Sequence, residues 1–326
     1  MKAVILAGGE GTRLRPLTWR TPKSLLPIVN RPFIDHQLAW LAGYGVDEVV
    51  LSIGYLSSAF DGWDFPGIRV RFAVEPEPLG TAGAIRFAAE AGGIAERFLV
   101  CNGDVLTDLD VTALLRLHRE RAAEVSIALT RAADPSAFGV VPTGDDGRVL
   151  GFVEKPAPGE APTDWVNAGT YVLEPSVLDA IPAGRRASIE RETFPGQLNR
   201  GGRLFALTSP AYWLDIGTPA KYVQANIDLL GGRPMLGTGA VVSPGAEVKE
   251  SVLGAGATVG DAARIVRSVL LDGARVDAGA EVIDSVVGAG ASVGPGAVVA
   301  DVSVIGPGAA VPPGVRLSGA RVEAGG

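Results

Sequence analysis

Four blocks near the C-terminus read as one sentence repeated: SVLGAGATV (251–259), SVLLDGARV (268–276), SVVGAGASV (285–293) and SVIGPGAAV (303–311). Their first residues are spaced 17, 17 and 18 apart. Aliphatic residues fall mostly six apart, with a five-residue step closing each coil: Leu253, Val259, Ile265, then Leu270, Val276, Val282, then Val287. Three short strands per coil, each turning one aliphatic inward, predict a left-handed parallel β-helix of the hexapeptide-repeat kind. Gly and Ala crowd the corners, where a tight turn leaves little room for a side chain.

Working back from the repeat, Gly231-Gly232-Arg233-Pro234 reads as a linker that ends a helix. The boundary is therefore set at 232, giving residues 1–232 and 233–326 as two domains. The first has a different grammar. Apolar strand candidates (2–7, Glu48–Ile53, 97–101, 124–130, 204–207) alternate with helical stretches, among them Ile34, Leu38 and Leu41 at i, i+4, i+7, then 84–91 and 109–121. Such alternation predicts an α/β, Rossmann-like domain with a mostly parallel sheet. Thr218-Pro219 starts a last helix, with Thr as N-cap and Pro at the first helical position.

The first strand runs into a glycine-rich loop with cations: KAVILAGGEGTRLRPLTWRTPKSLLPIV (2–29). Gly8, Gly9 and Gly11 leave a backbone that anionic oxygen can approach. Arg13, Arg15 and Lys23 then supply three positive charges, a composition suited to a polyphosphate. It is neither GxxxxGK[ST] nor GxGxxG. The chain has 24 arginines and five lysines (Lys2, Lys23, Lys155, Lys221, Lys249). Lysine kept at 23 and 155 suits a compact ammonium meeting phosphate.

Composition bounds the function. Of 326 residues, 47% are hydrophobic and 20% charged, and the net charge is −7. That describes an ordinary globular chain with no general nucleic-acid or membrane-surface field. Cys101 is the single cysteine, so no intrachain disulfide forms, and no apolar run approaches a membrane span. The reading places the chain in the cytoplasm. Some β-helix proteins transfer acyl groups with a histidine base, but the only histidines, His36 and His118, lie in the first domain on predicted helices. Both read as packed or solvated helix residues. The β-helix is instead expected to serve assembly, its open ends favouring a homo-oligomer.

The string AGGEGTRLRPLT (7–18) with PKSLLP (22–27) resembles the nucleotide-sugar pyrophosphorylases, the sugar-1-phosphate nucleotidylyltransferases. PLGTAGAI (78–85), DPSAFGVVPT (134–143), VNAGTYVLEPSVLDAIP (166–182), SIERETFP (188–195) and YWLDIGTP (212–219) extend the likeness over most of residues 1–230. They resemble its mannose-1-phosphate guanylyltransferase branch. The resemblance implies attack by a sugar-1-phosphate oxygen on the α-phosphorus of a nucleoside triphosphate, releasing pyrophosphate. The attacking phosphate is already ionised, so catalysis reduces to positioning and charge neutralisation.

It also implies a distribution of roles. The nucleotide falls to Leu6, Ala7, Gly8, Gly9, Gly11, Thr12, Arg13, Glu75, Gly80 and Thr81. The sugar phosphate falls to Gly139, Glu154, Lys155, Asn167 and Gly169. Arg13 is the choice for stabilising the departing pyrophosphate, with Lys23 on the triphosphate or incoming phosphate. Asp104, in FLVCNGDVL (98–106), closes a strand where open α/β sheets place ligands. With Asp215 it is expected to hold Mg²⁺, which accepts two protein carboxylates plus substrate oxygens. Glu75 stands where related thymidylyltransferases carry glutamine. A carboxylate only accepts hydrogen bonds and suits the two-donor edge of guanine. GTP and mannose 1-phosphate are thus the expected substrates. Glucose 1-phosphate with UTP or dTTP, heptose 1-phosphate with GTP, and a non-catalytic scaffold remain the alternatives. Trp19, Trp63 and Trp165 are candidates to line the pocket or to pack.

Overall fold

In the computed structural model, which describes residues 1–325, β1 (Lys2–Leu6) lies inside a nine-stranded sheet with Ala3, Val4 and Ile5 fully buried. β2 (Glu48–Ile53), β3 (Arg69–Val74) and β4 (Phe98–Asn102) extend it. β1 pairs in parallel with both β2 and β4, and β2 with β3, so this half of the sheet reads β3-β2-β1-β4. That is the doubly wound order. β5 (Val125–Arg131), β6 (Gly139–Val140), β7 (Val153–Glu154), β8 (Trp165–Leu173) and β9 (Leu204–Thr208) complete it. β8 runs antiparallel to β4, β5 and β6, while β9 joins β5 in parallel. The sheet is parallel on its β1 side and becomes mixed through β8.

The helices follow the apolar spacing. α1 (Phe33–Ala42) buries Ile34, Leu38 and Leu41 completely. α2 (Gly80–Ala91) sends Ala82, Ile85, Ala88 and Ala89 into one core with Val4, Val50 and Val100. α3 (Val111–Glu120) begins at Asp110, whose carboxylate accepts from the Ala113 N–H at 3.1 Å. α4 (Phe194–Asn199) adds buried Phe194 to the same core as α2. α5 (Pro219–Leu230) has Thr218 as N-cap and ends at Gly231, whose φ of 60° supplies the left-handed stop. The expectation for His118 holds. His118 is a packed helix residue on α3, its ring between Ser126 Oγ (2.9 Å) and Glu174 Oε1 (3.2 Å). Cys101 is buried, and burial pushes its thiol up to about 12.

By compactness the chain forms two units. One comprises Met1–Gly9 with Asp35–Trp213; the other comprises Glu10–Ile34 with Leu214 onward. The second unit contains the repeat as three all-parallel sheets of six, five and five strands. Register follows the sequence blocks: Leu253 faces Leu270, Val287 and Ile305 in turn, and all four are fully buried. The third spacing of 18 is absorbed at a corner, where Asp301 and Val302 both take positive φ (55° and 63°). The serine that opens each block has a task of its own. Ser251, Ser268 and Ser285 accept from the N–H of the next serine at 3.0–3.2 Å, and each hydroxyl donates to a carbonyl two residues back. Among the described residues no helix is long and apolar enough to cross a membrane.

Candidate active site

β1 and β4 are neighbours where the strand order reverses, and open α/β sheets place ligands beyond the carboxyl ends of such strands. β1 continues there into Ala7-Gly8-Gly9 and β4 into Gly103-Asp104. The loop after β4 touches the end of β1, the Gly103 N–H donating to the Leu6 carbonyl at 2.9 Å, while the Ala7 N–H donates to the Ser52 carbonyl of β2 at 2.8 Å. A Cβ at residue 103 would sit 2.5 Å from the Leu6 oxygen, so only glycine brings Asp104 this close to the end of β1. Gln37 Nε2, buried on α1, bridges the Asn102 and Val105 carbonyls at 2.8 and 2.9 Å and pins the turn that carries Asp104. Gly9 faces open space.

Glu75 follows β3 and its carboxylate faces Gly8, where an added Cβ would lie 3.0 Å from Oε1. Oε1 accepts from the Ser52 hydroxyl (2.8 Å) and Oε2 from the Leu79 N–H (2.9 Å). Each oxygen keeps a further lone pair. Gly80 has φ 70° and a Cβ there would meet the Ala187 oxygen at 2.6 Å, so it is glycine for close approach to the 187–190 segment. Thr81 donates to Glu190 Oε2 (2.7 Å) and accepts from the Ile189 N–H (2.8 Å).

Three of the expected sugar-phosphate residues share one cavity of about 190 Å³: Gly139, Glu154 and Asn167, with Glu190, Arg191 and Phe152 among the other lining residues. Glu154 Oε1 pairs with Arg191 Nη2 at 3.0 Å. Asn167 is held from both ends: its Nδ2 donates to the Tyr171 hydroxyl (2.7 Å) and its Oδ1 accepts from the Gly169 N–H (2.9 Å). The register of β8 on β5 breaks between Asn167 and Tyr171, and Gly169 (φ 73°) presses on Asn102, a bulge that re-aims Asn167. Burial holds the Tyr171 phenol well above its usual range, so it stays protonated. Lys155 follows Glu154 in a left-handed conformation (φ 48°) and is exposed, outside the cavity lining.

The second unit carries the other candidates. Gly11 (φ 61°) closes against Thr18 and Lys23, whose Cβ would stand 3.2 Å from a Cβ at residue 11. Thr12–Leu14 is a short 3₁₀ turn with Thr12 and Arg13 exposed. Arg13 and Asp215 converge on Gly217. A Cβ there would lie 2.6 Å from Arg13 Nη2 and 2.7 Å from Asp215 Oδ1. The Gly217 N–H donates to the same Oδ1 at 2.7 Å, and Asp215 Oδ2 pairs with Lys221 Nζ at 3.2 Å. Arg15 instead pairs with Glu10 (2.9 Å) and lies 3.9 Å over the Trp19 ring.

The tryptophans pack rather than line the cavity. Trp63 meets Phe60 and Phe72 edge-on, Trp165 lies under Arg131, and Trp19 donates to Glu323. Sequence reasoning missed Arg191, Glu190, Lys221, Gln37 and Gly217. Four of these sit in or beside motifs already noticed, SIERETFP and YWLDIGTP. Lys221 also carried the signal of lysine scarcity. Gln37, a single polar residue on an apolar helix face, carried none.

A protein-family model described as nucleotidyl transferase matches residues 2–231, and one described as the GMPPB C-terminal domain matches 230–324. A mannose-1-phosphate guanylyltransferase of Mycobacterium tuberculosis is 41% identical over 263 residues, 75% of this chain and 72% of that one. Mannose-1-phosphate guanylyltransferase 1 of Arabidopsis thaliana is 43% identical over 231 residues, 68% of this chain and 63% of the plant protein. Among solved structures, HddC from Yersinia pseudotuberculosis, also crystallised with GMP-PN, is 30% identical with a TM-score of 0.60, covering 70% of this chain and 98% of that one. With its first 231 residues so matched, the chain belongs to the nucleotidyl transferase family.

Proposed function

We propose that the protein joins GTP to mannose 1-phosphate, releasing pyrophosphate and forming GDP-mannose. The observation that carries this reading is the cavity in which Gly139, Glu154 and Asn167 meet, on a chain 41% identical to a mannose-1-phosphate guanylyltransferase. Glu154 and Asn167 bind sugar hydroxyls, and Lys155 takes the sugar's phosphate. Gly8, Gly9 and Gly11 let the triphosphate approach the backbone, with Leu6, Ala7 and Thr12 beside them. Lys23 neutralises phosphate charge, and Arg13 stabilises the pyrophosphate as it leaves. Glu75 accepts from guanine through its remaining lone pairs, with Gly80 and Thr81 shaping that side.

Asp104 and Asp215 are the proposed ligands of Mg²⁺. Their donors are hard carboxylate oxygens, the ligand type that Mg²⁺ prefers. That fits an ion bound through one or two carboxylates and completed by substrate oxygens. When bound, it supplies charge neutralisation at the reacting phosphates. The same reading assigns residues 1–232 to catalysis and 233–326 to assembly in a cytoplasmic homo-oligomer.

A panel of four nucleoside triphosphates against mannose, glucose and heptose 1-phosphates, read by pyrophosphate release, tests the substrates. GTP with mannose 1-phosphate is expected to lead, and preference for dTTP or UTP would overturn the role of Glu75. Asp104→Asn and Asp215→Asn are each expected to lose most activity while folding normally; near-native rates would remove them from the site.

A further inference from the structure

The cavity is lined by one cation and two carboxylates, and the three are not equivalent. Glu190 Oε2 accepts from the hydroxyls of both Thr81 and Ser188 at 2.7 and 2.8 Å, whereas among the described residues no ion pair joins Glu190 to Arg191. Glu154 has one oxygen on Arg191 and the other beside Gly139, where an added Cβ would lie 3.0 Å away. Arg191 stands in a π-helical turn, Ile189–Thr193, capped by Ser188, whose hydroxyl accepts from the Arg191 N–H at 3.2 Å. Single π turns recur at functional sites because they re-aim side chains. Here the turn delivers a guanidinium to the cavity beside the carboxylate expected to bind sugar.

A sugar hydroxyl both donates and accepts. A carboxylate can only accept and a guanidinium can only donate. Side by side, the two bracket a vicinal diol: one hydroxyl donates a hydrogen bond to Glu154, and its neighbour's oxygen accepts from Arg191. Inverting one carbon of the ring moves one hydroxyl away and leaves one charged partner without its hydrogen bond. Resting on the sugar-phosphate reading above, we propose that Arg191 determines which sugar epimer is accepted, acting with Glu154 as a donor–acceptor pair.

The test compares the full-length wild type with Arg191→Met, Arg191→Lys, Glu154→Gln and the Arg191→Met/Glu154→Gln double variant, using GTP with mannose 1-phosphate or glucose 1-phosphate. Arg191→Met is expected to raise KM for mannose 1-phosphate about 10- to 100-fold, from loss of a charge-assisted hydrogen bond. KM for GTP should stay within about twofold, and the preference between epimers should narrow. Lysine should recover part of the KM but not the preference, because it lacks the planar fork. The double variant should lose less than the sum of the single losses. Unchanged sugar KM and preference, or equal rises in both substrates' KM, would overturn the proposal. If Arg191→Met fails to fold, Arg191→Lys with unaltered preference does the same. A wild type that turns over no sugar 1-phosphate would sink the substrate reading itself, and this inference with it.

Discussion

Gly217 occupies a point that the Arg13 guanidinium and the Asp215 carboxylate both approach. A methyl group there would come within 2.7 Å of each, and both would have to move. Gly217→Ala is therefore expected to fold yet lose about 10²-fold in kcat, the usual consequence of misplacing catalytic groups by about an ångström. Native-like kcat would show that the convergence is incidental. His118 gives a second expectation, about stability. Burial depresses its pKa below 6.5 in the fold, against the pull of Glu174, while Arg97 pairs with the same Glu174. The unfolded chain thus takes up the proton first as pH falls. This contribution to stability is complete above 6.5 and is lost below it, toward the depressed folded value. Urea midpoints at about pH 7.5 and about pH 5.5 should fall more for wild type than for His118→Gln. Equal falls would remove His118 as the cause.

At the level of elements, the β-helix coils are held by two ladders, one aliphatic and one of serine hydroxyls. Ser285 is fully buried, donates to the Ile283 carbonyl and accepts from the Ser303 N–H at 3.2 Å. Ser285→Ala leaves the Ser303 N–H its Ala300 carbonyl partner (3.2 Å), whereas Ser268→Ala strands the Ser285 N–H and should cost about 1–3 kcal/mol in chemical denaturation; no loss would mean the ladder is decorative. The aliphatic ladder was legible in the sequence because one inward residue per strand leaves a fixed period. The serine ladder was visible as a repeat but not as a function, since a hydroxyl's partners depend on how coils stack. β8 shows the opposite limit. In the sequence its run VNAGTYVL reads as a motif and not as a strand. Its bulge at Asn167–Tyr171 and its antiparallel partners come from segments far away in the chain. Thr12–Leu14 and Lys23–Leu25 are single 3₁₀ turns, too short to show any period.

At the scale of the molecule, the loop Glu10–Ile34 is compact with the C-terminal unit although it follows β1 in sequence. Within that unit Asn30 donates to the Leu253 carbonyl (2.8 Å), the Val29 N–H to Asn226 Oδ1 (2.8 Å), and Trp19 to Glu323 (3.2 Å). Pro16 packs on Gly306, where an added Cβ would meet Pro16 Cγ and the Val322 oxygen at 2.9 Å each. The β-helix thus braces the loop that carries Arg13 and Lys23. Gly306→Ala is expected to cost about 1–3 kcal/mol and to raise KM for the nucleotide while leaving that for the sugar phosphate unchanged. Equal effects on both would argue against the brace.

All of this depends on the cations and carboxylates serving transfer of a nucleotidyl group. The most direct test supplies purified protein with GTP, mannose 1-phosphate and Mg²⁺ and follows pyrophosphate and nucleotide sugar together. The account predicts that the two appear in equal amounts and that Arg13→Ala slows both by about 10²–10³-fold. No product with any nucleoside triphosphate and sugar 1-phosphate, or an Arg13→Ala rate equal to wild type, would contradict it.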